Sequence, residues 1–225
     1  MNEREGCGVS VRAGASDPEH EAGGLSPDQL KRGFTLLAIT TFLAYIVINI
    51  PQTISPNFFR DEIGMDGALN GYLIAIREVP GFLLIFVSAF LLRHGLAVAT
   101  ATALAVAGVG YFLFAGAHSF VGLIVPTLIA SVGYHSWLQL QDALGLSLAR
   151  QGEEGSVLGR FRSIGFAGTI VALVVTLGIL FYVDRTFGDL RAAQGPWLRG
   201  LYVATAVCAL AGALVIFRFP VSASA

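Results

Sequence analysis

Six apolar stretches follow one another through residues 34–219, each with about the twenty residues that a helix rising 1.5 Å per residue needs to cross a hydrocarbon core of roughly 30 Å. They cover residues 34–57, 69–92, 96–117, 120–149, 163–183 and 198–219, here spans 1 to 6. Charged residues make up 13% of the chain and non-polar residues 55%, where soluble domains carry about 25% charged residues. A backbone surrounded by lipid must satisfy its own hydrogen bonds, so the stretches read as helices. The short alternating segments of a barrel are absent from the sequence. The expected fold class is an all-α membrane protein with six transmembrane helices in one domain over residues 31–219. A polar tail precedes it (residues 1–30) and a short one follows (residues 220–225).

The N-terminal tail lacks the apolar core of a signal peptide and reads as disordered. Ser26-Pro27-Asp28 reads as a helix start, with Ser26 as N-cap and Pro27 in the first helical position. The net charge of −1 points away from nucleic acid. Cys7 and Cys208 are expected to stay unpaired, with no metal site. There is no phosphate-binding Gly-x-x-x-x-Gly-Lys-Ser/Thr loop, no Gly-x-Ser-x-Gly and no His-Glu-x-x-His, so neither a cofactor nor an enzyme is expected.

With the N-terminus inside, Lys31, Arg32, Arg93, Arg150, Arg160, Arg162 and Arg218 lie on the cytoplasmic side, and Arg60, Arg185, Arg191 and Arg199 outside. The positive-inside rule therefore places both termini in the cytoplasm and the chain in the cell membrane as a multi-pass protein.

Polar side chains are unevenly shared among the spans. In span 1, Thr41, Tyr45, Asn49 and Thr53 recur every four residues, which makes one helical face, with Gln52 beside it. In span 4, Ser131, His135, Gln139 and Asp142 make a second stripe. Spans 3 and 6 are nearly bare and can face lipid, while spans 1 and 4 should face protein or water. The pattern of polar, intermediate and bare helix then recurs, as in two three-helix repeats of inverted topology.

Span 2 holds the most costly side chains, in Gly71-Tyr-Leu-Ile-Ala-Ile-Arg77-Glu78-Val-Pro80-Gly81. A charge at the bilayer centre costs at least about 2.5–3.5 kcal/mol on insertion scales, so Arg77 and Glu78 should meet protein or water. Neighbours on a helix point about 100° apart, which argues against the two simply pairing with each other. They read either as substrate counter-ions and coupling groups or as a structural anchor between helices. His135 lies at a similar height and, with an ordinary pKa of about 6.5, reads either as a proton-coupling group or as a packing histidine. Asp142 sits closer to the inner surface and reads as a gate or packing group, with proton coupling as the other role. Tyr45, Asn49, Gln52, Arg77, Glu78, His135 and Gln139 are the candidate pathway residues. Pro80 should kink span 2, with Gly81 as a possible hinge.

At Ser88-Ala-Phe-Leu-Leu92-Arg93-His94-Gly95 the chain resembles the signature between spans 2 and 3 of the major facilitator superfamily, Gly-x-x-x-Asp-Arg-x-Gly-Arg-Arg. Arg93 and Gly95 match; Ser88 and Leu92 replace the first Gly and the Asp, and the trailing basic pair is missing. The resemblance covers residues 32–218 and implies the N-terminal six-helix half of a secondary transporter that moves a small solute by alternating access. Arg93 and Gly95 would then serve as a gating loop. Members typically have twelve spans, so the pathway's other wall is expected from a second six-span half: a second copy or a missing C-terminal half. The competing expectation is a non-transporting scaffold or assembly factor derived from such a half. Substrate and coupling ion are not legible in these residues.

Overall fold

The computed structural model describes residues 25–82 and 92–220. All regular structure among them is helical. Helix α1 is Pro27–Asn57, α2 is Gly67–Phe82, α3 is Leu96–Ala115, α4 is Phe120–Ser147, α5 is Glu154–Phe187 and α6 is Leu190–Ile216. Five helical stretches are long and apolar enough to cross a membrane: α1 with its extension to Glu62, α3, α4, α5, and Ala193–Ile216 of α6. The second half of span 2, the residues Ser88 to Leu92 of the 2–3 signature and Cys7 lie outside the described residues or, for Leu92, only at their edge.

Local chemistry accounts for the ends. Ser26 caps α1 as expected. Its Oγ accepts from the Gln29 backbone N–H (3.3 Å), the Gln29 side chain accepts from the Ser26 N–H (2.8 Å), and Pro27 fills a position whose N–H would have no helical partner. At the other end Pro51 and Pro56 each remove a helical donor, and the last turn widens into a π-turn, Phe58–Glu62. Gly188 closes α5 with φ +70°, and Gly95 precedes α3 with φ +84°, a conformation that favours a residue without Cβ. α5 reaches about 50 Å from its 34 residues, well beyond a hydrocarbon core.

The start of α1 marks the near end of the bundle and the π-turn the far end. Buried apolar residues form a far cluster around Ile54, Phe58, Leu73, Phe114, Leu198 and Tyr202, and a near cluster around Leu37, Trp137, Leu144, Phe161 and Ile216. The principal packing partners interchange regularly. α1 lies against α5 and α6, α4 lies against α2 and α3, and α3 lies against α6.

Spans 3 and 6, which can face lipid by composition, are also closely packed within the bundle. The apolar window of α3 is 50% buried and that of α6 44%, whereas that of α5 is only 28% buried. The reason is residue size. With few polar groups, α3 is rich in Ala and Gly, and small residues let backbones approach. A Cβ on Gly133 of α4 would fall 2.5 Å from the Ala103 carbonyl oxygen of α3, and one on Gly108 would fall 3.1 Å from the Ala209 Cβ of α6. Gly110 rests directly on the Ala130 backbone. α5 instead presents Phe166, Ile170, Val174, Leu177 and Phe181 outward.

Candidate functional site

A cavity of about 420 Å³ lies between α1, α2, α3, α4 and α6, and it takes in four of the sequence-derived candidates: Gln52, Arg77, Glu78 and His135. Its polar wall is the α2–α4 contact. Arg77 stands ten residues after Gly67, about 15 Å along α2. Three residues further on, Pro80 supplies no N–H to the Ile76 carbonyl, and at the adjacent position the Ser131 hydroxyl of α4 donates to the Arg77 carbonyl. Side chains from adjacent helices commonly satisfy backbone acceptors beside an intramembrane proline in this way. Gly81 completes the contact, because a Cβ there would already touch the His135 ring at 3.5 Å.

Contrary to the sequence argument, Arg77 and Glu78 do pair. Arg77 Nε and a terminal guanidinium nitrogen both donate to Glu78 Oε1, at 3.0 and 2.9 Å. The angular offset between neighbouring helix positions is bridged by the length of the two side chains. Both are about half exposed, at 47% and 46%. The second carboxylate oxygen, Oε2, lies 3.6 Å from His135 Nε2, a buried nitrogen without a hydrogen bond in this arrangement.

The far wall is aromatic. Phe114 stacks against Tyr202 at 5.2 Å and Phe59 at 6.3 Å, with Tyr111 at 6.1 Å. Tyr202 is fully buried and its hydroxyl shares a 2.9 Å hydrogen bond with Ser55 of α1. Asn70 and Thr127 add polar groups to the lining. Tyr111 and Tyr202 were missed because spans 3 and 6 were read as bare. Each stands alone in its span without the four-residue recurrence that singles out Tyr45, yet a tyrosine hydroxyl needs a partner when buried.

Tyr45 and Asn49 do not line the cavity. Asn49 donates to Thr169 Oγ1 of α5 at 3.0 Å, and Tyr45 accepts from Arg162 of α5 at 3.1 Å. They share a helical face with Gln52 but sit nearer the start of α1, where Gly165 and Gly168 let α5 close over that face. Built Cβ atoms there would meet the Tyr45 ring at 2.6 Å and the Phe42 carbonyl at 2.5 Å. Asp142 is likewise outside the cavity, held by both oxygens to Arg162 at 3.1 and 2.8 Å, so that Tyr45, Asp142 and Arg162 tie α1, α4 and α5 together at the near end. Gln139 is exposed and is not among the lining residues. Arg93 is exposed in the short turn Leu92–His94, and Gly95 leads directly into α3.

The far end carries a second polar cluster. Arg199 of α6 donates to the carbonyls of Ala115 and Ala117 at 2.7 and 2.8 Å, capping α3, and lies 5.1 Å from the Phe58 ring centre. Its other partners are Glu62 at 3.8 Å and His118 at 3.3 Å. Asp61 accepts from Arg60 and from Gln194. Among the described residues no three His, Cys, Asp or Glu side chains converge on a metal position. No protein family matches the chain, and neither does any curated protein or solved structure.

Proposed function

We propose that this chain is a six-helix half of a secondary transporter of the major facilitator type, moving a small solute across the cell membrane by alternating access. The observation that carries the reading is the cavity itself, which gathers Arg77 and Glu78 of α2 with Gln52 of α1 and His135 of α4, two helices long and apolar enough to cross a membrane. Charged groups among membrane-spanning helices are costly to retain and mark substrate or proton pathways more often than simple packing. The interchange of packing partners supports two inverted three-helix repeats: exchanging α1 with α4, α2 with α5 and α3 with α6 carries the main contacts onto one another. Half-exposed Arg77 and Glu78 favour a second six-helix unit over lipid against α2. In this reading Glu78 and His135 are the coupling pair, and Asp142, tied to Arg162, serves as a latch at the cytoplasmic end beside the Arg93–Gly95 turn. The excess of basic residues at that end supports cytoplasmic termini.

The test is uptake. Purified protein is screened for solutes that raise its melting temperature, and those solutes are then offered to proteoliposomes. Uptake that disappears in Glu78→Gln and His135→Asn, at an unchanged melting temperature, supports the assignment. Full uptake in both variants sinks the coupling pair. Solute binding or stable partner capture without any flux would favour the scaffold reading.

A further inference from the structure

Resting on the reading of this cavity as the solute site, we infer that its ligand is a zwitterion with an aromatic or similarly flat apolar group, of the kind represented by an aromatic amino acid. The charged wall holds one cation and one anion side by side, Arg77 and Glu78, and both line the cavity while remaining about half exposed. A lone anion placed there gains from Arg77 and is repelled by Glu78. A lone cation meets the reverse. A ligand carrying both charges next to each other can lay its dipole antiparallel to that of the pair, with its carboxylate towards the guanidinium and its ammonium towards the carboxylate. Glu78 has the oxygen for this: both Arg77 bonds go to Oε1, and Oε2 lies 3.6 Å from His135 Nε2, beyond hydrogen-bond length.

The opposite wall supplies the second half of the recognition. Phe114, Tyr202, Phe59 and Tyr111 form a continuous ring array with centroid separations of 5.2 to 6.3 Å. Tyr202 is fully buried and Phe114 and Phe59 nearly so, which leaves half-buried Tyr111, backed by this array, as the ring that can meet a ligand ring in an offset or edge contact. Gln52 and Asn70 add uncharged hydrogen-bonding groups to the lining. A volume of about 420 Å³ falls at the small end of ligand sites, which span about 300–1,000 Å³.

Binding of tritiated L-phenylalanine and L-tryptophan to the full chain in lipid nanodiscs tests this, with three competitors. Phenylethylamine lacks the carboxylate, phenylpropionate lacks the ammonium, and L-alanine lacks the ring. The expected result is saturable binding of the aromatic amino acids, with each competitor weaker by at least about tenfold, because a site built to pair a group rejects analogues without it. Arg77→Gln should narrow the gap to phenylethylamine, and Glu78→Gln the gap to phenylpropionate. Either singly charged competitor matching phenylalanine in the unaltered chain, or no saturable binding of either amino acid up to millimolar concentration, overturns the proposal. The competition series needs no variant, so a variant that fails to fold leaves the answer intact. Uptake is read separately: tight, zwitterion-selective binding without flux defeats the transporter reading alone, and flux of some other solute without amino-acid binding defeats this inference alone.

Discussion

The seam that joins α3 to α4 and α6 and the wall that joins α2 to α4 use opposite means to hold helices together. The seam is built from residues with almost no side chain, Gly108, Gly110 and Gly133 against alanines, so backbones touch and nothing has room to shift. Among the described residues the α2–α4 wall holds through polar contacts: a hydroxyl on a carbonyl, a glycine on an imidazole and an ion pair facing open space. In a bilayer, where lipid is as apolar as leucine, close packing is the stronger glue, and polar contacts act as local pins. The seam is therefore a rigid spine and the α2–α4 wall an adjustable side that carries the chemistry.

Filling the seam breaks this contrast most directly. Gly133→Leu must displace the α3 backbone, and loss of folded protein, or destabilisation of roughly 3 kcal/mol, is expected in a thermal melt in detergent. Gly178→Ala on the open face of α5, where a Cβ meets nothing within 4 Å, should instead be neutral or stabilise by up to about 1 kcal/mol. If both substitutions behave alike, the spine is no spine. Next in size is Arg199→Met, which leaves the Ala115 and Ala117 carbonyls without their charged donor; a loss of about 2 kcal/mol is expected. On the adjustable side, Ser131→Ala should cost about 1 kcal/mol and also weaken solute binding, while Ser131→Thr keeps both by retaining the hydroxyl. A binding loss without any change in melting temperature would mean that Ser131 contacts the solute rather than α2. Smallest is Asn49→Leu at the α1–α5 contact, about 0.6 kcal/mol in the same melt with solute binding unaffected, since Asn49 points away from the cavity.

Much of this was legible from the chain and part was not, for one physical reason. Hydropathy finds what lipid tolerates, so five membrane-length helices could be read, though span 5 begins nine residues earlier, at Glu154, because its first turns are polar, and the Ser26-Pro27 start depends only on local hydrogen bonding. Arg77, Glu78 and His135 stood out because a charge or an imidazole among apolar residues needs company. Burial could not be read in the same way. Ala and Gly in α3 score as apolar beside Phe and Ile in α5, yet the first group packs against helices and the second faces outward. The stripe on α1 was read correctly as a face but not as a face with two neighbours along its length. Only the glycines of a different helix, Gly165 and Gly168, decide where α5 closes over it.

The Arg77–Glu78 pair has one more consequence, for how the protein senses the electric field of a membrane. A single charge carried through the whole field exchanges about 2.3 kcal/mol with it per 100 mV. The pair sums to zero, its members sit on consecutive residues of one helix, and any displacement of α2 moves both together. Such a motion does almost no electrical work. Membrane voltage has little leverage on this helix while both members stay charged; a proton taken up by Glu78 would leave α2 with one net charge and restore that leverage.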